Sequence, residues 1–316
     1  MNKNILFVCP KFYNYHVLII NNLIEKGYNV TFLPDLAEDR LIFAFYKKFQ
    51  WFKKLIHFSF NNKIQNYLNN NEYSTLFVIK GKLFTNSLIT KLNQNKNFKN
   101  VFKIMYQWDS DSSSNYSNLI TYFDKVLTFD PKDSVNFRID YLPLFCSQKV
   151  KSNLKTNYDM LVISSYTKER NILIKKIIYN KLFHSLRFKI FIYQPFLSYI
   201  KTFIKNENLP FKYVSFSKIS MKKYFDELSK TKAVLDISHS YQSGLSMRTI
   251  ETLGNDKKLF TNNKQILNEN FYNNLQIKVF ENINEIFDKK FIENSHNYKN
   301  NIDDLMLKNW IDRIIT

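Results

Sequence analysis

The stretch SGLSMRTIETLGNDKKLFTNN, residues 243–263, decides the fold of the second half of the chain. Apolar side chains recur in it at helical spacing and predict a short helix: Leu245, Met247, Ile250 and Leu253. Gly244 allows a tight turn before this helix, and Gly254 stands where a left-handed C-terminal cap would end it. Residues 257–261 then predict a buried strand. The stretch therefore predicts a turn, a helix and a strand that enters a sheet.

Two polar residues of this stretch suit the chemistry of an anionic ligand. Arg248 and Glu251 lie three residues apart and so share one face of the predicted helix. A helix N-terminus offers free N–H groups to an anion, and an arginine adds a forked cation that matches phosphate. Glu251 adds two acceptors for sugar hydroxyls. These groups could hold a nucleoside diphosphate, although a surface helix with an ordinary ion pair would explain the same spacing.

The composition fits two globular domains of ordinary size. The chain has 316 residues, of which 45% are hydrophobic, so two cores can be buried. The formal net charge is +19, and a basic surface attracts nucleic acid, anionic membranes or anionic substrates. The lysines are spread along the chain, and no nucleic-acid module is evident. We therefore expect no nucleic-acid partner.

The sequence carries no clear signature of targeting, membrane spanning or metal binding. Cys9 and Cys146 are far apart and give neither metal-ligand spacing nor an evident disulfide. The start of the chain leads directly into an apolar strand, and no run approaches about 18 apolar residues. We expect a cytoplasmic protein, with contact at the inner face of the cytoplasmic membrane as an option.

The first half of the chain predicts a parallel sheet. Residues 5–9, 16–26 and 28–33 have the pattern of a strand, a helix and a strand, which is a βαβ unit. Further apolar runs predict strands at 75–79, 102–106, 125–129 and 139–142.

Asp109 and Asp111 follow the predicted strand at 102–106. Carboxylates in that position face the ligand crevice of an open α/β sheet. A D-x-D motif after a strand is also typical of a divalent-cation site. The best nucleotide-binding stretch lies in the other half of the chain, so we expect no metal here. Capping a helix or ordering a loop is the alternative to catalysis for these aspartates.

Residues 41–60 predict one basic amphipathic helix. Its apolar face is rich in aromatic side chains and consists of Leu41, Phe45, Phe49, Phe52 and Ile56. Its lysines spread over the remaining arc: Lys47, Lys48, Lys53 and Lys54. Such a helix could lie in the interface of an anionic membrane or pack against the protein core.

The second half repeats the alternation of strands and helices. Its apolar runs predict strands at 160–163, 188–192, 211–214, 233–237, 257–260 and 277–280. After the first of them, Ser165 leaves backbone N–H groups accessible at a helix start, where Lys168 and Arg170 bring cations. A capped surface helix would explain the same residues. His239 follows another strand and either contacts a phosphate or sugar or only orders its loop.

The predicted domain boundary lies in a polar and basic segment, residues 145–157. We therefore predict domains at 1–148 and 149–300, followed by a final amphipathic helix at 301–316.

Two segments resemble one family, the GT-B glycosyltransferases of bacterial polysaccharide and lipopolysaccharide biosynthesis. Residues 244–254 resemble its pattern G-(L/M)-x-M-R-T-x-E-x-L-G, and residues 162–170 resemble its pattern F-(I/V)-G-S-x-x-x-x-R. Ser164 stands where the second pattern usually has glycine. The remaining segments follow the order of that family along nearly the whole chain.

The resemblance implies an α/β fold of the GT-B type, with two doubly wound Rossmann-like domains facing each other across a cleft. The N-terminal domain would bind a saccharide or lipid-linked acceptor and the C-terminal domain a nucleotide-sugar donor, and the last helix would cross back to the first domain. Glu251 would bind the ribose, with Arg248 and Arg170 near the diphosphate and no metal or other cofactor. The other predicted donor contacts are Ser165, Lys168, His239, Gly244 and Leu245.

Transfer with inversion also needs a base that deprotonates the acceptor hydroxyl. His16 lies at a helix start after the first strand, where some inverting GT-B enzymes keep a histidine, and Asp109 is the other candidate.

Two further classes of protein stay open. One is a catalytically inactive basic protein that binds membranes or nucleotides. The other is a non-glycosyl transferase acting on polysaccharides, such as a pyruvyl or phosphoglycerol transferase.

Overall fold

The computed structural model describes residues 3–36, 40–150, 156–238, 243–294 and 302–316. The chain divides into two compact units, one formed by Met1–Pro143 with Leu307–Thr316 and the other by Leu144–Met306. Each unit contains a six-stranded sheet in which all neighbouring strands are parallel. The predicted fold class, α/β with two doubly wound sheets, is confirmed.

The first unit orders its strands β2-β1-β3-β4-β5-β6. The strands are Asn4–Cys9 (β1), Asn29–Pro34 (β2), Thr75–Ile79 (β3), Phe102–Gln107 (β4), Lys125–Thr128 (β5) and Asp140–Tyr141 (β6). The helices between them are Tyr15–Glu25 (α1), Arg40–Lys48 (α2), Gln50–Asn70 (α3), Asn86–Asn93 (α4), Asp111–Ser114 (α5) and Pro131–Phe137 (α6). The central strands β1 and β3 are buried at all but their first residue, as expected where helices cover both faces of a parallel sheet.

The predicted single helix at 41–60 is wrong. Phe49 adopts an extended conformation (φ −114°, ψ 110°) and separates α2 from α3, which continues ten residues past the predicted end to Asn70. The fully buried core residues of α3 are Phe60, Ile64 and Leu68, all in its second part. The predicted apolar face therefore does not form one stripe, and the side chain of Leu41 lies outside the described residues.

The second unit orders its strands β12-β11-β10-β7-β8-β9. The strands are Tyr158–Ser165 (β7), Phe188–Tyr193 (β8), Val214–Ser215 (β9), Thr231–Asp236 (β10), Lys258–Thr261 (β11) and Ile277–Val279 (β12). The helices are Lys168–Ile178 (α7), Phe196–Ile204 (α8), Met221–Ser229 (α9), Met247–Gly254 (α10) and Lys289–Glu293 (α11). Part of the predicted strand at 211–214 is wrong. Phe211–Tyr213 form a 3-10 turn, which is closed by a hydrogen bond from the Tyr213 N–H to the Pro210 carbonyl (3.0 Å).

Residues 144–150, part of the predicted linker, pack within the second unit. Cys146 forms an isolated parallel bridge with Met306, and the Val150 N–H donates to Asn255 Oδ1 (2.6 Å). The two units meet in sequence at Pro143 and Leu144, whereas the sequence predicts 148 and 149.

The last helix, Leu307–Ile315 (α12), packs on the first unit. The fully buried Trp310 stacks edge-on against Tyr106 (ring centroids 4.8 Å apart) and donates from Nε1 to the Pro143 carbonyl (3.0 Å). Lys26, at the C-terminal cap of α1, forms an ion pair with Asp312 (2.6 Å).

Across the described ranges, no helix combines the length and apolar character needed to cross a bilayer.

Candidate functional site

The order of the second sheet locates a ligand crevice at one edge. The strands β8 and β9 follow on one side of β7, and β11 and β12 follow on the other side of β10. The strand order therefore reverses between the neighbours β7 and β10, which is the switch point of the sheet. In open α/β sheets, ligands bind beyond the carboxyl ends of the strands at that point. Ser165 ends β7 and Asp236 ends β10.

Asp236 is the centre of the polar contacts at this edge. Its fully buried carboxylate accepts hydrogen bonds from Ser246 Oγ (2.7 Å), Thr249 Oγ1 (2.7 Å) and Arg248 Nε (3.1 Å), and Arg248 Nη2 lies 3.0 Å away. Burial acts to raise the pKa of Asp236, but Arg248 and the two hydroxyls outweigh it, so the pKa is lowered. Asp236 is therefore a fixed negative charge. The sequence analysis did not assign it a role.

Arg170 places a second, buried guanidinium near the Asp236 carboxylate. It lies in the first turn of α7, and its Nε donates to the carbonyl of Ile237, directly after Asp236 (2.8 Å). Burial, and next the positive charge of Arg248, lower the pKa of Arg170 to about 10. The group stays charged at neutral pH. The charges that act on Arg170 are those of Arg248, Asp236 and Glu169, so two guanidinium groups and two carboxylates meet at this edge.

Helix α10 is buried on nearly every side, so the alternative of an ordinary surface helix is wrong. Arg248 pairs with Asp236, and the six residues from Thr249 to Gly254 are all buried. Glu251 Oε1 accepts from Ser147 Oγ (2.8 Å), which places its carboxylate against segment 144–150. The pKa of Cys146 is raised to about 12, by burial first and by the charge of Glu251 next.

Gly254, the last residue of α10, acts differently from the prediction. Gly254 does not have a left-handed conformation; that conformation belongs to Asp256 (φ 54°). A Cβ at Gly254 would lie 2.5 Å from Cys146 Sγ and 2.7 Å from Cys146 Cβ, so close packing is the reason for glycine. The Gly244 carbonyl accepts from Asn263 Nδ2 (3.2 Å). Leu245 is a buried core side chain, so only its backbone could face a ligand.

The remaining predicted donor contacts lie at the start of α7. Ser165 and Lys168 are exposed there, and Thr167 caps the helix by accepting from the Arg170 N–H (3.3 Å). His239 lies outside the described residues. The structure thus brings Ser165, Arg170 and Arg248 to one sheet edge, with Lys168 exposed beside them.

The first sheet has its own switch point, between β1 and β3. Lys80 follows β3 with a left-handed backbone (φ 68°) and is buried. Its Nζ lies 2.7 Å from Asp109 Oδ2 and 5.9 Å from the centroid of the Trp108 ring. The sequence analysis assigned no role to Lys80. Lys80 could have been recognised from the sequence, because it is a cation directly after a predicted central strand and next to Gly81.

His16 lies in the first turn of α1 at this same edge. It is buried, its ring stacks on Phe32 (centroids 5.2 Å apart), and its Nδ1 makes no hydrogen bond. Burial, and next the charge of Lys11, lower its pKa. The imidazole is therefore neutral at pH 7 and able to accept a proton.

Asp109 and Asp111 are held by different partners. Asp109 meets Lys80, whereas Asp111 accepts from the N–H (2.8 Å) and Oγ (3.2 Å) of Ser117. Asp111 therefore orders the loop that follows α5. Within the described parts of the chain, no group of three or more His, Cys, Asp or Glu side chains is arranged to hold a metal ion.

The architecture of the chain is that of the GT-B fold. A sucrose-phosphate synthase from Thermosynechococcus elongatus superimposes with a TM-score of 0.57 at 9% identity, covering 90% of this chain and 88% of that one. A UDP-GlcNAc 2-epimerase from Neisseria meningitidis, bound to UDP-GlcNAc, gives 0.53 at 10% identity over 99% of both chains. A Listeria monocytogenes protein assigned as a UDP-N-acetylglucosamine 2-epimerase gives 0.57 at 9% identity, over 98% of this chain and 95% of that one. At such identities the likeness shows the fold alone. No family model and no curated protein sequence matches the chain.

Proposed function

We propose that the protein is a glycosyltransferase that moves a sugar from a nucleotide-activated donor to a saccharide or lipid-linked acceptor of a bacterial surface polysaccharide. The observation that carries this proposal is the cluster of Asp236, Arg248 and Arg170 at the switch point of the second sheet. A buried and a partly buried cation held at that edge suit a diphosphate, which is the leaving group of such a transfer.

The residues of this cluster and of the start of α7 would contact the diphosphate of the nucleotide-sugar donor. The guanidinium groups of Arg170 and Arg248 would neutralise the diphosphate as it leaves, aided by Lys168 and the N–H groups at the start of α7. Their positions cost no reorganisation during the reaction, because Asp236 and the Ile237 carbonyl already hold them. No metal is required in this scheme.

Glu251 would bind the ribose hydroxyls. Its carboxylate is buried and accepts from Ser147 Oγ, so a ribose hydroxyl would replace or join that bond. Ser147→Ala should then leave nucleotide binding intact, whereas Glu251→Ala should weaken it.

Of the two candidate bases, we favour His16. The Asp109 carboxylate is already engaged by the Lys80 ammonium, which lies 2.7 Å from Oδ2, so that oxygen is not available to an acceptor hydroxyl. His16 is neutral and its Nδ1 has no hydrogen-bond partner. If the reaction retains the configuration of the sugar, such a base is not required.

A sugar-nucleotide epimerase is the second candidate. It is supported by the fold likeness to the Neisseria meningitidis enzyme bound to UDP-GlcNAc. An epimerase converts the nucleotide sugar without any acceptor, whereas a transferase releases the nucleoside diphosphate. Incubation with UDP, GDP or ADP sugars, followed by NMR of the sugar and quantification of released nucleotide, separates the two activities.

The binding experiment comes first. We expect one of UDP, GDP, CMP or ADP, at about 100 times its dissociation constant, to add roughly 2.7 kcal/mol of stability. That raises the melting temperature by about 4 °C in a protein of this size, with or without manganese. Arg170→Met should lower the shift by about half or more. Arg187→Met is the matched control, because Arg187 pairs with Asp159 at the start of β7, the opposite end of the same sheet. A shift that needs manganese and survives Arg170→Met would contradict the proposal.

Contact with an anionic membrane through residues 41–60 is part of this proposal. Five apolar side chains of α2 and α3 are exposed: Ile42, Phe45, Trp51, Leu55 and Phe58. Exposed lysines accompany them: Lys47, Lys48, Lys53 and Lys54. The opposite side of the helix pair packs inward through Phe43, Tyr46 and Ile56. Trp51 is exposed and would report insertion by a blue shift of its fluorescence on vesicles of anionic lipid.

A further inference from the structure

Helix α8 of the second unit turns its apolar residues toward solvent. Leu197 and Ile204 are 73% and 74% exposed, and Phe196, Ile200 and Phe203 are exposed as well. The residue of α8 that is buried is Thr202. An amphipathic helix on a soluble domain normally buries its apolar stripe, so this orientation is the reverse of the usual one.

A polar contact network fixes α8 in this orientation. The fully buried Gln194, directly before the helix, donates from Nε2 to Thr202 Oγ1 (3.1 Å) and Ser198 Oγ (3.4 Å). Thr202 Oγ1 donates in turn to the Tyr199 carbonyl (2.9 Å). A rotation that buried the apolar stripe would break these bonds and leave a buried amide without partners, which is costly.

Aromatic side chains from the following segment widen the exposed face. Phe211 and Phe216 are exposed, and the Phe216 ring lies against Phe196 (5.1 Å), Tyr199 (5.6 Å) and Phe211 (5.9 Å). We call the seven exposed apolar residues the α8 surface: Phe196, Leu197, Ile200, Phe203, Ile204, Phe211 and Phe216. A contiguous apolar face of this kind marks an interaction site.

The charges around the α8 surface are almost all positive. Residues 196–218 contain four lysines and a single acidic residue, Glu207; the lysines are Lys201, Lys205, Lys212 and Lys218, all exposed. The partner must therefore be apolar in its interior and anionic at its surface.

We propose that the α8 surface docks on a bilayer of anionic lipid. The apolar side chains would enter the boundary between headgroups and acyl chains, while the lysines extend along it to the lipid phosphates. A second copy of the chain fits less well, because two chains of net charge +19 repel each other and lysine is depleted from the cores of protein interfaces. This docking does not depend on the proposed function or on the exposed face of α2 and α3.

Docking here would bring the candidate donor site close to the membrane. Phe196 lies just past the carboxyl end of β8, and β8 pairs with β7 through Tyr193 and Ser165 at the edge where Arg170 lies. The α8 surface therefore begins at the edge of the sheet that carries the candidate site, which suits an acceptor held in a lipid layer.

The test is flotation of the full chain with vesicles of phosphatidylcholine alone or with 30% phosphatidylglycerol. The triple variant Leu197→Gln, Phe203→Gln, Ile204→Gln removes apolar contact without changing charge. We expect wild-type protein to float with the anionic vesicles and the triple variant to lose roughly tenfold or more in affinity. The matched control, Val135→Gln with Ile172→Gln and Leu267→Gln, changes three exposed apolar residues elsewhere and should bind like wild type.

Two further measurements separate the alternatives. The variant Leu197→Trp in a Trp51→Phe background should show a blue shift and quenching by brominated lipid only if α8 enters the bilayer. The pair Trp51→Gln, Phe58→Gln tests the face of α2 and α3 separately. Equal flotation of wild type and triple variant, or no flotation of wild type, would overturn the proposal. So would a wild-type dimer in sedimentation velocity that the triple variant dissolves.

Discussion

The two sheets each carry a carboxylate paired with a cation beyond their strand ends, but the two pairs are built differently. Asp236 is fully buried and bound by Arg248 and two hydroxyls, with the Arg170 guanidinium nearby. The side chain of Asp109 is 34% exposed and meets the ammonium of Lys80, next to Trp108. Asp236 is held as a fixed charge by its buried partners, whereas the first unit also carries His16, whose pKa is lowered by burial and by Lys11.

That difference indicates separate chemical tasks. Fixed, preorganised charge stabilises an anion that forms in the transition state. A neutral imidazole with a lowered pKa can accept a proton. In the proposed transfer, the second edge would stabilise the departing diphosphate and His16 would activate the acceptor hydroxyl.

The largest expected effect is on stability. Asp236→Asn leaves the guanidinium groups of Arg248 and Arg170 without their countercharge, which should cost about 3–5 kcal/mol of unfolding free energy. Asp109→Asn removes one charge-assisted hydrogen bond, worth about 1.5–3 kcal/mol. Urea unfolding followed by circular dichroism measures both. Equal losses would remove the distinction between a buried and a partly exposed pair.

The next effect separates binding from chemistry. Arg170→Met should weaken nucleotide binding by roughly 10–100-fold, since a hydrogen bond to a charged group is worth about 1.5–3 kcal/mol. Lys80→Met should leave the dissociation constant of the nucleotide unchanged. Isothermal titration calorimetry of the two variants and of Arg187→Met gives the comparison. A weaker complex with Lys80→Met would place the nucleotide at the first edge instead.

The two units also use glycine for different reasons. Gly254→Ala should cost about 1–3 kcal/mol because its Cβ would overlap Cys146, and a Cys146→Gly background should relieve most of that loss. Gly81 has φ +70°, so Gly81→Ala should cost roughly 1–2 kcal/mol, and this strain should persist in a Val78→Ala background, which removes the nearby methyl. A double-mutant cycle on each pair separates packing from backbone strain. If the second substitution restores stability at both positions, close packing would explain the need for glycine at both.

The smallest effect concerns pH. Burial and Lys11 lower the pKa of His16 below its ordinary value of about 6.5, so the imidazole stays neutral and able to accept a proton into more acidic solution. If His16 is the base, kcat/KM should fall on the acidic side only below pH 6.5. His16→Gln should lower kcat/KM and remove the fall of kcat/KM in acidic solution. If that fall persists in the variant, another group is the one that titrates.

The strands were the most predictable part of the chain. Continuous apolar runs such as 5–9 and 75–79 specify buried parallel strands, because both faces of the sheet are covered. Errors came where local geometry competes with the pattern. Phe49 interrupts a helix that the periodicity predicts as continuous, and Pro210 begins a turn where a strand was expected.

The candidate site was predictable only in part. Arg170 and Arg248 could be found because each stands at a recognisable position after a strand or at a helix start. Asp236 could not be distinguished, since an aspartate at a strand end has many roles and its three partners come from a later helix. The pairing of Lys80 with Asp109 was hidden for the same reason.

The sequence by itself determined two sets of six parallel strands and the two segments that resemble GT-B enzymes, because apolar runs and short motifs are local properties of the chain. Only the tertiary structure decided that Asp236 joins Arg170 and Arg248 and that α8 faces outward. These features depend on contacts between residues remote in the chain. The apolar spacing of α8 alone would predict a buried helix, and it is the amide of Gln194, bonded to Thr202, that turns the stripe toward solvent.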